Sequence, residues 1–492
     1  MAQASDYTID NSTGANVRAD INTVLQAIAT NNSGSSAAST TFASGFFANT
    51  STSMMQLRNT SNNAFLDLFT LAGGPAFPID GTINSVSIGK GANSVAGNTV
   101  LGESALDAAV SGGNNTAVGK DTLTANTSGI RNVAVGSGAL AANTTGSKNI
   151  AIGYASLDAA TTAEGNTAVG YNSLTANTSG ASNVGIGLDA LIANTEGDNN
   201  TALGANALDA NTTADNNTAV GKAALGANTT GSGNAAVGTN ALLANTSANN
   251  NTAMGNGALA ANTIAGNNSA LGSGALAANI TGTSLTAVGY QALDGATAVN
   301  YSVAVGSGAL GGASLSGDNN TCVGHNAGHL ISSGQKNTCI GTDAGNVITT
   351  GDNNIVLGNN ADPASASAGN SITLGDSNIG SIRCQVQTIS SLSDERDKTD
   401  IVDSEDGLDL INLLKPRKFT WAMRTPSAND GTTHLGFIAQ ELDAALGTKN
   451  DYIHAVLKEN PNKLEAAYGR FIPIMVKAIQ ELSAKVTALE AG

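Results

Sequence analysis

Ser393 and Lys398, in the segment Ser393-Asp394-Glu395-Arg396-Asp397-Lys398, are the pair in this chain best suited to covalent chemistry. A serine hydroxyl is a weak nucleophile until a base takes its proton, and a lysine kept neutral by desolvation can be that base. The segment also has a plainer reading, because Ser, Asp and Glu are helix-capping residues and Ser393-Asp394-Glu395 could serve only to start a helix. Other reactive side chains carry less. His434 and His454 lie in the same region, and a hydrogen-bonded structural role suits both better than catalysis. Cys322 and Cys339 share one column of a repeat, one unit apart, and read as small core thiols; three cysteines make no disulfide framework. Neither a metal site nor a cofactor is expected.

These residues lie near or beyond the end of a long repetitive stretch. From Leu101 to Gly375 one glycine recurs every 17 residues, from Gly102, Gly119 and Gly136 to Gly306, then, after one extra residue, as Gly324, Gly341, Gly358 and Gly375. The residue before each is apolar (Val118, Ile152, Leu203, Met254, Leu357), a column that should face a core. A leucine stands four residues after the glycine (Leu106, Leu123, Leu140, Leu293, Leu310), and in many units an asparagine three further on (Asn126, Asn143, Asn177, Asn194, Asn211, Asn228). A unit of this size cannot bury its own apolar residues, so units must stack as a solenoid. The T-A-V-G half and the A-L-x-A-N half, each bounded by Gly/Asn/Ser/Thr turns, read as two short strands per coil. A helical second half would make at most one turn. The fold expected for residues 81–392 is therefore mainly β, a parallel β-solenoid or β-roll shaft.

Stacked asparagines should form side-chain amide ladders that satisfy the turn backbone. Thr/Asn faces can also bind ice, but the threonine column is broken by Val133, Ile150, Val184 and Ala235. Asp/Asn/Gly loops can bind calcium, but acids such as Asp198, Asp215 and Asp318 are scattered without a regular spacing.

Composition agrees with a fibrous protein: 59 glycines, 3% aromatic and 12% charged residues are wrong for ordinary globular domains of this length. A net charge of −16 argues against a nucleic-acid partner. No apolar run reaches membrane-spanning length and the first residues lack a basic, then apolar, leader pattern, so no membrane insertion and no export leader are expected. Ahead of the shaft, residues 1–34 hold an amphipathic helix from about Ala15 to Thr30, a docking element. Residues 35–80 hold a small β module with strands at Phe46-Phe47, Met55-Gln56-Leu57-Arg58 and Phe65-Leu66-Asp67-Leu68-Phe69. Ser85-Val86-Ser87-Ile88-Gly89 and Asn98-Thr99-Val100-Leu101-Gly102 read as the first turns of the shaft at shorter spacing.

Two stretches carry resemblances. Asn132-Val133-Ala134-Val135-Gly136 and Asn149-Ile150-Ala151-Ile152-Gly153 resemble the strands of trimeric autotransporter adhesin heads, a left-handed β-roll built from three chains. The N-terminal stretches loosely resemble the start of tail fibres of phages of aquatic bacteria.

From Ser393 onward the composition changes: 12 of the 21 Lys and Arg and the only Trp fall here. The S-D-x-R-x-K segment, Leu414-Lys415-Pro416, Phe419-Thr420-Trp421, Leu435-Gly436-Phe437-Ile438-Ala439-Gln440-Glu441-Leu442 and Tyr468-Gly469-Arg470-Phe471-Ile472-Pro473 resemble, in order over 393–492, the C-terminal intramolecular chaperone of phage tail fibres and endosialidase tailspikes. That resemblance implies an α+β domain that trimerises, sets the register of the fibre and then cuts itself off after Leu392. It implies Ser393 as nucleophile on the Leu392 carbonyl, Lys398 as general base, and Asp394 and Arg396 as the residues that fix the loop. Asp397 departs from the family, which has a larger apolar residue there, and a carboxylate beside Lys398 would favour the charged amine and slow the cut. Ile472, Met475, Ile479, Leu482, Val486 and Leu489, at spacings of three and four, form the seam of a terminal coiled-coil helix.

The whole then reads as a homotrimeric phage tail fibre, made in the host cytoplasm and carried on the virion. Its N-terminus would meet a tail, baseplate or adaptor protein, and its shaft a host-surface glycan or protein. A bacterial surface adhesin and a polysaccharide-depolymerising tailspike are the alternatives. The second suffers from the lack of carboxylates at glycosidase spacing.

Overall fold

The structure is a computed structural model that describes residues 33–34, 46–49, 54–58, 65–70, 81–83, 85–312, 314–379, 382, 393–422, 431–458 and 464–492. The helix expected over Ala15 to Thr30 and Leu392 lie outside the described residues. The fold is mainly β, a solenoid of about 16 turns at 17-residue spacing followed by a C-terminal helical region. The chain divides into two compact units, residues 1–217 and 218–492.

The first unit begins with the β module. Phe46–Asn49 pairs antiparallel with Met54–Arg58, and Met54–Arg58 with Phe65–Thr70, while Ser33–Gly34 runs parallel to Ala48–Asn49. The solenoid follows, but not from the residue expected. Val86–Gly89 lies antiparallel to both Gly81–Ile83 and Thr99–Gly102. This segment is thus a hairpin cap on the first rung, and parallel stacking starts only where Thr99, Val100 and Leu101 meet Thr116, Ala117 and Val118. Such a cap covers the open backbone edge that the first parallel strand would otherwise present.

Each rung has one three-residue strand in place of the two expected. Thr167–Val169 pairs in register with Ile150–Ile152 on one side and Val184–Ile186 on the other. The A-L-x-A-N half is a succession of turns. Leu174 sits at φ 54°, in the left-handed region, its N–H donates 3.0 Å to Ala190 O of the next rung, and its own carbonyl accepts from Asn177 N–H at 3.1 Å. A strand cannot contain that change in the sign of φ. Left-handed leucine costs about 1 kcal/mol or more, and complete burial of the side chain offsets it: Leu106, Leu123, Leu140, Leu157, Leu174, Leu191 and Leu208 are all 0% exposed.

The wall opposite the leucines is the middle residue of the strand. Ala117, Ala134, Ala151, Ala168 and Ala202 are 0% exposed. The apolar column before the glycine, expected in the core, points outward instead, with Leu101, Ile152 and Leu203 at 45%, 40% and 46% exposure. A rung this narrow brings its two walls together, so alanine or glycine stands opposite almost every leucine, and where the strand carries Cys322 or Cys339 the leucine gives way to Gly328 or Gly345, whose added Cβ would lie within 2.5 Å of the cysteine sulfur. The glycine that ends each strand is required by its neighbour: Gly170 has φ +141°, and a Cβ on it would lie 2.3 Å from the carbonyl oxygen of Gly187.

Two asparagine ladders run inside the rungs. Before the strand, Asn132 Nδ2 donates to Gly146 O at 2.9 Å, and the Oδ1 of Asn132 accepts from Asn149 N–H at 3.0 Å. In the turn half, Asn143 Nδ2 donates to Asn126 Oδ1 at 2.8 Å and Asn211 Nδ2 to Asn194 Oδ1 at 2.8 Å. The expected structural role of the asparagines is met, in two columns. Buried amides that close turns and link rungs leave few backbone groups unpaired.

The second unit continues the same design, with Leu225, Leu242, Leu259 and Leu276 buried against Ala219, Ala236, Ala253 and Ala270. Cys322 pairs in register with Cys339 in this inner column; both are buried free thiols. The Cys339 thiol and then burial push the Cys322 thiol well above its usual range.

Among the described residues, the C-terminal region has four α-helices: α1 (Leu408–Leu413), α2 (Ala439–Leu446), α3 (Asn450–Ile453) and α4 (Ile472–Glu490). Arg417–Thr420 and Thr433–Gly436 form an antiparallel pair. Leu410, Leu442, Leu446, Ile453, Val456, Phe471 and Ile474 make its core. The terminal helix forms as expected; within it Ile474 and Ala478 are buried, while the seam residues Ile472, Ile479, Leu482 and Leu489 are exposed.

Candidate active site in the C-terminal region

The segment 393–398 is shaped by its own side chains. Glu395–Asp397 forms one 3-10 turn, and Asp394 caps it, its Oδ1 accepting from Arg396 N–H at 2.9 Å. The Arg396 guanidinium returns to the same carboxylate, Nε to Oδ1 at 2.9 Å and Nη2 to Oδ2 at 2.5 Å. That fork holds the Asp394 carboxyl below the usual carboxylate range and raises Arg396. Both side chains are exposed, so the pair organises the loop locally and adds little to global stability.

Capping by Asp394 leaves the Ser393 hydroxyl free. Across the turn, Lys398 Nζ donates to Ser393 Oγ at 2.6 Å and to Ser393 O at 3.4 Å. The chain turn therefore brings together the two residues singled out from sequence, at the distance proton transfer needs. The pair is exposed, and burial is what would favour a neutral amine. Asp397 makes no ion pair with Lys398 among the described residues. His434 Nε2 shares a hydrogen bond of 2.8 Å with Thr432 Oγ1 and its ring lies against Phe419, a structural setting; His454 ends α3 at φ 52°.

A second polar cluster was not read from sequence. Asp406 is 6% exposed and accepts from Lys449 Nζ and, at 2.5 Å, from Tyr452 OH. Burial raises the Asp406 carboxyl; the bonds from Lys449 and Tyr452 outweigh it, and the net result is a value below the usual range. Two residues on, Leu408 N–H at the start of α1 donates 2.8 Å to Glu481 of α4. A Cβ on Gly407 would lie 2.5 Å from that carboxylate, so glycine admits the contact. Asp406 and Glu481 together fasten the end of the exposed 393–405 segment to the helices. Only the stretch Ser404-Glu405-Asp406-Gly407, polar residues before a helix, hints at it in the sequence.

Among the described residues no group of three or more His, Cys, Asp or Glu could hold a metal ion, and no helix is long and apolar enough to cross a membrane.

Residues 393–450 match the family described as the chaperone of endosialidase. The match begins at Ser393 and ends at Asn450, and it supports a chaperone domain at the C-terminus. No curated protein and no solved structure matches the chain.

Proposed function

We propose that this chain is the subunit of a homotrimeric phage tail fibre that attaches the virion to its host, assembled by a C-terminal chaperone that then cuts itself off before Ser393. The observation that carries the reading is the chaperone of endosialidase match placed directly after a shaft of near-identical rungs. Aligning three repetitive chains is a register problem, because a slip of 17 residues still matches every column. A domain that joins three ends before the shafts stack removes that degeneracy. The outward apolar column, Met254, Leu271, Ile340 and Leu357 among others, is 36–49% exposed in one chain and is the face that neighbouring copies would cover. The exposed seam of α4 would be covered in the same way.

For the cut, Lys398 in its neutral form takes the Ser393 proton while Oγ attacks the Leu392 carbonyl carbon. The Leu392–Ser393 peptide bond breaks, the new amine at Ser393 receives the proton, and water then hydrolyses the ester to release the domain. Asp394 and Arg396 hold the turn. Covering the exposed pair during assembly would supply the desolvation that the base requires.

A gel of purified protein, boiled and unboiled, tests both parts. The expected result is a trimer band before boiling and a released fragment of about a fifth of the chain, with Ser393→Ala and Lys398→Ala giving uncut chains that still form trimers. Monomer in every lane would sink the fibre reading, and cutting of both variants at the same bond would sink the dyad.

A further inference from the structure

In a chain with 3% aromatic residues, two of the seven tyrosines lie face to face on the outside of successive rungs. Tyr154 and Tyr171 each follow a strand-ending glycine, and their rings stack with centroids 5.2 Å apart at 14°. They are 55% and 53% exposed, and Leu188, next in the same column, is 49% exposed. On the other side the column turns polar, with Ser137 and then Lys120, which faces Glu103 at 3.5 Å. The aromatic surface is thus confined to three rungs and bordered by a neutralised ion pair. Its footing is rigid: Asn172 N–H donates to Tyr154 O and Asp189 N–H to Tyr171 O, each at 3.0 Å.

Hydrogen-bonding groups stand beside it. Asn172 and Asp189 follow Tyr171 and Leu188 directly and stack one rung apart. The Asn172 carboxamide has no hydrogen bond among the described residues, whereas Asp189 Oδ1 is buried without a partner beneath it. A flat apolar platform with a free carboxamide at its edge fits one ligand chemistry: a pyranose ring, which offers a C–H face to stack and a rim of hydroxyls to donate and accept.

We propose that Tyr154, Tyr171 and Leu188 form a subsite for an uncharged polysaccharide, with Asn172 taking its hydroxyls. The proposal rests on the attachment reading above and gives it a place and a ligand class. A protein partner on the platform itself is a poor fit, since stable interfaces bury on the order of 1,600 Å² and the platform is three side chains on three rungs. Nucleic acid also stacks on aromatics, but it needs cations for its phosphates, and the chain carries a net charge of −16. The same charge disfavours acidic polymers.

The test uses the full assembled protein on an immobilised panel of neutral and uronate-bearing bacterial polysaccharides, with adsorption to cells measured on the same preparations. The wild type should bind at least one neutral polymer. Tyr154→Ala/Tyr171→Ala should bind it about tenfold more weakly or worse, Tyr154→Phe/Tyr171→Phe should keep most of the binding, and Tyr290→Ala, an exposed tyrosine elsewhere on the shaft, should change nothing. Binding of neutral polymers unchanged in the double alanine variant, or confined to acidic polymers, overturns the subsite. If the wild type and double variant adsorb equally to cells, the subsite fails and the attachment reading survives. If neutral-glycan binding depends on the tyrosines but no cell is bound, the subsite stands and attachment fails.

Discussion

Asn143 shows what one residue does to a ladder. Its Nδ2 donates to Asn126 and to Gly146, but its Oδ1 is buried with no partner, because the residue one rung on is Ala160, which interrupts the asparagines of Asn126 and Asn143 before they resume from Asn177 to Asn279. Beyond the break, Asn177 Nδ2 donates only within its own turn, to Gly180 at 2.9 Å, while its Oδ1 accepts from Asn194 of the next rung. A buried acceptor without a donor costs about 1–3 kcal/mol. Ala160→Asn should therefore stabilise the shaft, by about 1 kcal/mol for each ladder bond made, and raise the denaturant midpoint; a lower midpoint would mean that the rung has closed around alanine and has no room. The same scale explains what could be read of the site. Ser393, Asp394, Arg396 and Lys398 are neighbours in sequence, so their contacts follow from one turn of chain. Asp406, Lys449 and Tyr452 meet across 43 and 46 residues, and no local pattern records such a meeting.

At the scale of the rung, the repeat announces the stacking but not the direction in which its residues face. Alternation along T-A-V separates two faces of a strand, and either can be the inner one. The larger residue of the pair suggests the core, yet the rung is too narrow to admit it, and alanine goes inside with leucine opposite. The leucine half misleads for a related reason: its apolar, turn-bounded pattern suits a strand, whereas the left-handed φ at Leu174 is visible only in the backbone. The strands of the β module lie where the phenylalanines and methionines place them. Because each rung repeats the same contacts, removing residues 239–255, one full period from Thr239 to Gly255, should leave a soluble protein with one rung fewer. Removing residues 239–247 should give aggregates, since it turns Leu259-type residues out of the core and breaks both ladders. The loss of a single buried leucine costs about 2–5 kcal/mol, and the partial deletion displaces one in each rung that must adjust. Equal solubility of the two deletions would be incompatible with stacked rungs.

At the scale of the whole molecule, the shaft and the C-terminal region meet different demands. Each rung holds one short strand and, as far as Leu310, one buried leucine, too little to be stable alone, so the shaft depends on many rungs joined in series. Once such an array is closed by its neighbours, unfolding must begin at an end, and its rate rather than its equilibrium sets its lifetime. Assembly faces the opposite difficulty, because identical rungs offer many wrong registers, and the outward apolar columns of unassembled chains would associate in any of them. The proposed chaperone acts on that second stage alone. Expression of residues 1–392 without the C-terminal region should therefore give aggregated chains, whereas removal of residues 393–492 after assembly should leave trimers that withstand detergent. Both halves are measured on the same gel, by soluble yield and by the unboiled band. If the shortened chain assembles into resistant trimers as readily as the full one, the rungs must find their own register, and the C-terminal region has some task other than guiding the fold.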